Sequence, residues 1–279
     1  MPPLLRFNSV VSSKSLRSVE LSLEPGNLCA VFGPTGAGKS WLLDVARDKT
    51  KPASGKVICA QGVVSTFPGM VSRKLSPVQV AQRLGAKKPT TLTNSLTSSG
   101  LWERRAESVG SLSPSWQACA DLLPIWIGPQ PVASIDMVLD YLDPWQMERT
   151  LEAIQKERDA GRAFLIATNR IEVAEKASHL VVMRGGEARF VGTREDLLWR
   201  EQPTEIEVET VDSSSALSVI EPLVIESAIT PNGLLLRARE GQETAARLLT
   251  QGYGSVKMLF VKYPTLREAL IDLLYEPYA

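Results

Sequence analysis

The octet Gly33-Pro34-Thr35-Gly36-Ala37-Gly38-Lys39-Ser40 constrains this chain more than any other feature. It completes a GxxxxGK[ST] phosphate-binding loop in the setting that the loop needs. The apolar run Leu28-Cys29-Ala30-Val31-Phe32 before it reads as a buried parallel strand, and Leu42, Leu43, Val45 and Ala46 after it suit a helix packed on that strand. Gly33, Gly36 and Gly38 allow backbone conformations that a Cβ would forbid. Successive N–H groups then turn inward around phosphate oxygens, aided by the helix N-terminus. Lys39 is placed to reach the β- and γ-phosphates of a nucleoside triphosphate, and Ser40 to offer its hydroxyl to Mg²⁺.

The rest of the chain is read outward from that loop. Strand-like segments at 4–10, 19–23, 55–60, 63–67, 132–136, 163–168 and 180–183 alternate with helical ones, with helices expected over 144–159 and 171–178. Such alternation after a phosphate loop means an α/β fold with a largely parallel sheet. Residues 76 to 127 read as helical, interrupted by a Ser/Thr-rich surface loop from Lys87 to Gly100. Gln202-Pro203-Thr204 reads as a linker. Beyond it the order is β-α-β-β-α-β-α, the split-βαβ or ferredoxin-like arrangement. The expected organisation is a nucleotide-binding domain over 1–200, with a helical subdomain at about 76–128, and a small C-terminal α+β domain over 205–279.

Composition narrows the partners. Lys plus Arg equals Asp plus Glu, 31 each, which argues against a nucleic-acid partner. Three dispersed cysteines, Cys29, Cys59 and Cys119, read as buried thiols in a reducing compartment. With His179 as the only histidine, a multi-histidine metal site is excluded. The start of the chain has no signal-peptide pattern, and no apolar stretch reaches 18 residues. His179 and Trp102, Trp116 and Trp126 read as structural residues.

A phosphate loop needs a second carboxylate for Mg²⁺ at the end of a neighbouring strand, and Asp136 in Val132-Ala133-Ser134-Ile135-Asp136 fills that place. Asp136-Met137-Val138, Leu142-Asp143-Pro144, Leu112-Ser113-Pro114-Ser115-Trp116 and Ala167-Thr168-Asn169-Arg170 then fall in order and at fixed offsets. In this the chain resembles the ATP-binding subunits of ABC transporters over residues 4 to 200. The resemblance implies a P-loop NTPase fold of the ABC ATPase type and MgATP as ligand. It also implies a second ATPase subunit across a dimer interface that includes Ser113 and Asp143, a heteromeric pair being favoured. A permease on a separate chain would hold the subunit, peripherally, on the cytoplasmic face of a membrane. Pro264-Thr265-Leu266-Arg267-Glu268-Ala269-Leu270 resembles the end of exporter-type ATPases.

The chain departs from that pattern at the groups that cleave ATP. Met137 stands where the family has its general base, Asn169 where it has the switch histidine, and Phe67 where it has the glutamine that senses the γ-phosphate. Pro114 and Ser115 replace the signature glycines, and Trp41 replaces a small hydroxyl residue. Neither Val10 nor Val11 supplies the aromatic ring that stacks adenine. The implied protein is a degenerate member that holds MgATP with little or no hydrolysis at its own site. Two alternatives stay open on the sequence: an active ATPase recruiting Asp140 or Asp143 as base, and a soluble P-loop phosphotransferase.

Overall fold

The computed structural model describes residues 2–12, 18–59, 61–201, 204–238, 240–251, 256–262 and 265–275. Internal contacts divide the chain into two units, Met1–Arg194 and Glu195–Ala279. Gln202, Pro203 and Pro264 lie outside the described residues, as does Ala60, which the sequence assigned to a strand.

The first unit opens with β1 (Leu5–Val11), β2 (Val19–Leu23) and β3 (Leu28–Phe32), then α1 (Lys39–Ala46), β4 (Ser54–Ile58) and β5 (Val63–Thr66). Four helices follow: α2 (Pro77–Arg83), α3 (Pro89–Ser98), α4 (Pro114–Asp121) and α5 (Leu123–Ile127). Next come β6 (Val132–Asp136), α6 (Pro144–Asp159), β7 (Ala163–Thr168), α7 (Ile171–Lys176), β8 (His179–Arg184) and β9 (Glu187–Thr193). Helix α8 (Arg194–Glu201) follows at the boundary.

Two sheets result. The larger has the order β5-β6-β7-β3-β8-β9, parallel from β5 to β8, with β9 antiparallel at its edge. Strands β6 and β7 are buried at every position. That is the pattern of strands covered on both faces, and it explains the unbroken apolar runs in the sequence. The smaller sheet, β2-β1-β4, is antiparallel and was not foreseen as separate. Nor was β9, which pairs back onto β8 across Gly185 and Gly186, both at positive φ.

The loop expected over Lys87–Gly100 is a helix, α3. Pro89 sits in its first turn, where a missing N–H costs nothing. Ser95 and Ser99 are buried, and their hydroxyls donate to Leu92 O at 3.0 Å and Ser95 O at 2.8 Å. Polar side chains that bond back to their own helix can sit on a buried face, so the composition misled.

The second unit comprises β10 (Thr204–Thr210), α9 (Ser213–Ile220), β11 (Val224–Thr230), β12 (Gly233–Ala238), α10 (Gly241–Gln251), β13 (Val256–Lys262) and α11 (Leu266–Tyr275). Its antiparallel sheet has the order β11-β12-β10-β13, the connectivity of a split-βαβ fold. Ile206, Val208, Leu234 and Leu236 on one sheet face pack with Ala216, Ile220 and Leu248 from α9 and α10. Thr265 and Glu268 form a reciprocal cap on α11. Glu268 Oε2 accepts from Thr265 N at 2.9 Å and from its hydroxyl at 2.8 Å, while Glu268 N donates to Thr265 Oγ1 at 3.3 Å. These bonds hold the Glu268 carboxyl below the ordinary glutamate range. The Thr-x-x-Glu of the exporter-like ending thus has a local structural reason of its own.

Candidate nucleotide site

Strand order builds the site. Strand β3 feeds the loop, and it lies between β7 and β8, with β6 beyond β7. Phe32 pairs with Thr168 and Asp136 with Ala167, so the three strands end at one level. Lys39 and Ser40, Asp136 and Met137, and Thr168 and Asn169 therefore share the carboxyl edge of the sheet, where open α/β sheets bind ligands.

Two glycines of the loop have separate reasons. Gly33 has φ +153°, and a Cβ there would lie 2.1 Å from Met183 O on β8. Gly38 is left-handed at φ 98° and caps α1 without any side-chain bond, leaving the helix's first N–H groups free to face an anion. Residues Thr35–Trp41 together with Met137 line a cavity of about 300 Å³.

Within the site the polar groups are already paired. Lys39 is buried, and its ammonium donates to Gly33 O at 2.5 Å, Pro34 O at 3.0 Å and Asn169 Oδ1 at 2.8 Å. Desolvation pushes its pKa down, opposed by the charges of Asp140 and Asp136. Ser40 Oγ donates to Asp136 Oδ1 at 2.9 Å. Burial raises the Asp136 carboxyl above its ordinary range, against the opposing pull of the Ser40 hydroxyl. One hydroxyl beside one carboxylate is the donor set that Mg²⁺ takes when phosphate oxygens complete its shell.

Met137 holds a left-handed conformation at φ 59°, and its N–H donates to Ala167 O at 3.0 Å. Met137 lines the cavity and packs against the hydrophobic core that includes Val31, Leu42 and Leu43, and its thioether offers no proton acceptor. Asn169 is fixed from behind. Asp140 accepts from Thr168 Oγ1 at 2.5 Å and from Asn169 N at 2.9 Å, so neither of its oxygens is idle. Phe67 lies past β5, with the Arg47 guanidinium 6.0 Å from its ring. Trp41 borders the cavity, and Val10 is wholly buried in β1.

Ser113 is exposed and caps α4 without a side-chain bond. Asp143 caps α6, its carboxylate accepting from Gln146 N at 2.9 Å. That bond, foremost, holds Asp143 below the usual carboxylate range. The segments carrying Ser113 and Asp143 meet where Asp143 N donates to Ser115 Oγ at 3.0 Å.

One buried group escaped the sequence reading. Asp121, at the end of α4, is 1% exposed and accepts from both Arg73 terminal nitrogens, at 3.2 and 2.8 Å. It also accepts from Gly69 N at 2.8 Å and Val71 N at 3.1 Å. Its backbone carbonyl accepts from the Thr66 hydroxyl. Asp121 thus fastens the loop after β5, beginning at Phe67, to the helical segment. No pattern in the sequence marks a pair 48 residues apart.

A glycine-rich strand-to-helix loop, an adjacent serine–aspartate pair and a parallel sheet of this order define a P-loop nucleotide-binding unit. Residues 16–137 match the family model described as ABC transporter. A hemin import ATP-binding protein of Pseudomonas aeruginosa is 26% identical over 210 residues, covering 66% of this chain and 82% of the relative. A zinc import ATP-binding protein of Roseobacter denitrificans is 27% identical over 187 residues, covering 64% and 72%. Among solved structures, a dimeric ATP-binding cassette bound to ADP and Pi superposes with TM-score 0.60 at 19% identity, covering 68% of this chain and 98% of that one. A cassette from Clostridium perfringens, part of the cbiONQ transporter complex, gives TM-score 0.61 at 18% identity, covering 72% and 92%. The chain has the fold of an ABC ATPase cassette, and it is similar to the ABC transporter family over residues 16–137 and to the ATP-binding proteins of ABC transporters over about two thirds of its length.

Proposed function

We propose that the chain is a nucleotide-binding subunit of an ABC transporter complex that holds MgATP but cleaves it slowly or not at all at its own site. Gly33, Pro34, Thr35, Gly36, Ala37, Gly38 and Lys39 would wrap the phosphates, with Ser40 and Asp136 holding Mg²⁺. Closure onto a second ATPase subunit, with Ser113 and Asp143 at the interface, would be passed to a permease on a separate chain. The subunit would sit on the cytoplasmic face of the membrane through that permease.

The observation that carries the reading is Met137. Met137 lines the same cavity as Lys39 and Ser40, and on this reading it stands where the attacking water would need a proton acceptor that a thioether cannot supply. Loss of a general base typically slows a reaction by about 10²–10⁴-fold. Asp140, the nearest alternative in sequence, has both oxygens engaged by Thr168 and Asn169, which supports impaired over displaced catalysis. The test is paired: MgATP protection in thermal unfolding, and steady-state phosphate release by the same preparation. Protection without turnover is expected. Turnover at ordinary ATPase rates overturns the impaired site, and absence of protection by either MgATP or MgADP overturns nucleotide binding itself.

A further inference from the structure

Every hydrogen-bond donor of the Lys39 side chain is taken by the protein itself. An ammonium has three N–H groups and no acceptor. Lys39 Nζ donates to Gly33 O at 2.5 Å, to Pro34 O at 3.0 Å and to Asn169 Oδ1 at 2.8 Å, so three acceptors meet three donors. The two carbonyls belong to the loop that Lys39 itself closes, six and five residues before it in sequence. Asn169 is different in kind. It follows the end of β7, 130 residues away, and it is exposed, whereas Lys39 is buried.

The strand end holds Asn169 in place. Asp140 Oδ2 accepts from Asn169 N at 2.9 Å, and Asp140 Oδ1 accepts from Thr168 Oγ1 at 2.5 Å. Thr168 Oγ1 accepts in turn from Arg170 N at 2.9 Å. Bonds thus reach residues 168, 169 and 170 one after another, and the Asn169 side chain leaves Lys39 by turning about its own bonds. Its amide has one orientation in that contact. An ammonium accepts nothing, so the carbonyl oxygen faces Lys39 and the NH2 group faces away. A phosphate oxygen approaching Lys39 therefore meets an acceptor already in its place. The neutral amide oxygen and the anion compete for one charged donor.

We propose that Asn169 is a built-in competitor for phosphate, a latch that holds the Lys39 ammonium and that nucleotide must displace. The proposal rests on the reading of this loop as a nucleotide site, and adds how that site is regulated. It gives Asn169 the opposite sign to a γ-phosphate contact, because the side chain opposes binding. The β- and γ-phosphates both lie within the reach of a phosphate-loop lysine, so the latch acts on diphosphate and triphosphate alike. It also bears on release. A site that cleaves slowly is cleared by dissociation of the intact nucleotide, and a side chain that recaptures Lys39 favours that dissociation.

The test is calorimetric titration of the full chain with MgADP and with MgATP, for wild type and two variants at position 169. Asn169→Ala removes the competing oxygen from an exposed residue and leaves its backbone bond to Asp140 in place. It should bind both nucleotides about three- to tenfold more tightly, the net worth of one hydrogen bond in water. Asn169→Asp sets a carboxylate against the ammonium and should weaken both by at least about tenfold. Unchanged or weaker binding by Asn169→Ala, a loss confined to MgATP, or wild-type affinity in Asn169→Asp overturns the latch. No binding of either nucleotide by wild type and by Asn169→Ala overturns the nucleotide reading itself, and the latch with it. Binding by Asn169→Ala alone supports both.

Discussion

The glycine loop and the strand ends around it differ in what their chemistry can do. On the loop side, Gly33–Ser40 completes the GxxxxGK[ST] pattern, and Ser40 already meets Asp136 at 2.9 Å. On the strand-end side, the positions that would handle water and protons carry Met137, Asn169 and Phe67, none of which titrates near neutral pH. Yet that side is not loose. Met137 N is bonded to Ala167 O, Asn169 N to Asp140, and the loop beyond Phe67 to Asp121. On the proposed reading, holding a ligand and cleaving it are separable properties of one fold, and losing the second would leave the architecture of the first standing.

The largest effect should come from breaking the rigidity of the strand-end side. Asp121→Ala strands the Arg73 guanidinium and two backbone N–H groups around a buried site. Removing one partner of a buried pair costs about 3–5 kcal/mol, and the lower end applies because Arg73 is a third exposed and can rehydrate. Urea unfolding of the full chain should show a loss of about 3 kcal/mol. A loss below about 1 kcal/mol, the scale of an ordinary hydrogen bond, would mean that the loop is held by other means.

Next comes the loop side. Lys39→Ala removes the buried ammonium that, on the proposed reading, meets the β- and γ-phosphates. A charge-assisted contact of this kind is worth about 2–3 kcal/mol, so MgATP should bind about 100-fold more weakly in calorimetry. The variant should not unfold, because the bonds it loses go to the loop's own carbonyls and to Asn169. Equal affinity in the variant would break the contrast between the two sides, since the loop side would then not be holding phosphate.

Met137→Glu probes the contrast from the other direction. Glutamate is accommodated at φ 59° about as well as methionine, and its carboxylate would enter the cavity beside Ser40 and Lys39. Phosphate release should rise about tenfold. The full 10²–10⁴-fold of a general base is withheld by Asn169, Pro114 and Phe67. Adding Asn169→His should raise it further. No gain from either variant would place the defect in the composite partner surface around Ser113.

Much of this was legible in the sequence, for reasons that can be named. The loop and its flanking strand are local, so the pattern and its context arrive together. The place of Asp136 beside Ser40 was legible because a parallel sheet brings strand ends to one level, and Asp136 ends an apolar run. The split-βαβ order of the second unit followed from alternation and turn residues alone. What stayed hidden was non-local or polar. Helix α3 hides its burial behind Ser95 and Ser99, whose hydroxyls are satisfied internally. Arg73 and Asp121 find each other only in the fold, and β9, whose Glu-Ala-Arg-Phe-Val does alternate, follows β8 so directly across Gly185 and Gly186 that it was passed over. Asp140 was singled out as a possible base; what could not be read from the sequence is that its two oxygens accept from Thr168 and Asn169.

The smallest effect separates two roles of one residue. Asp143 caps α6, and Asp143→Ala should cost about 1 kcal/mol at neutral pH, the usual worth of such a cap. Its carboxyl is held below the ordinary value by the Gln146 N–H, so the cap's contribution is present in full above the unfolded-state pKa of about 4. It fades as pH falls through the lower folded-state value, and the gap between wild type and variant should close there. Asp143→Asn keeps an oxygen for Gln146 N and should restore nearly all of the stability at neutral pH. If nucleotide-dependent association, read by sedimentation with MgATP, is also restored, Asp143 acts only as a cap. If stability returns and association does not, the charge itself meets the partner, and the segment shared with Ser115 belongs to the phosphate-holding side.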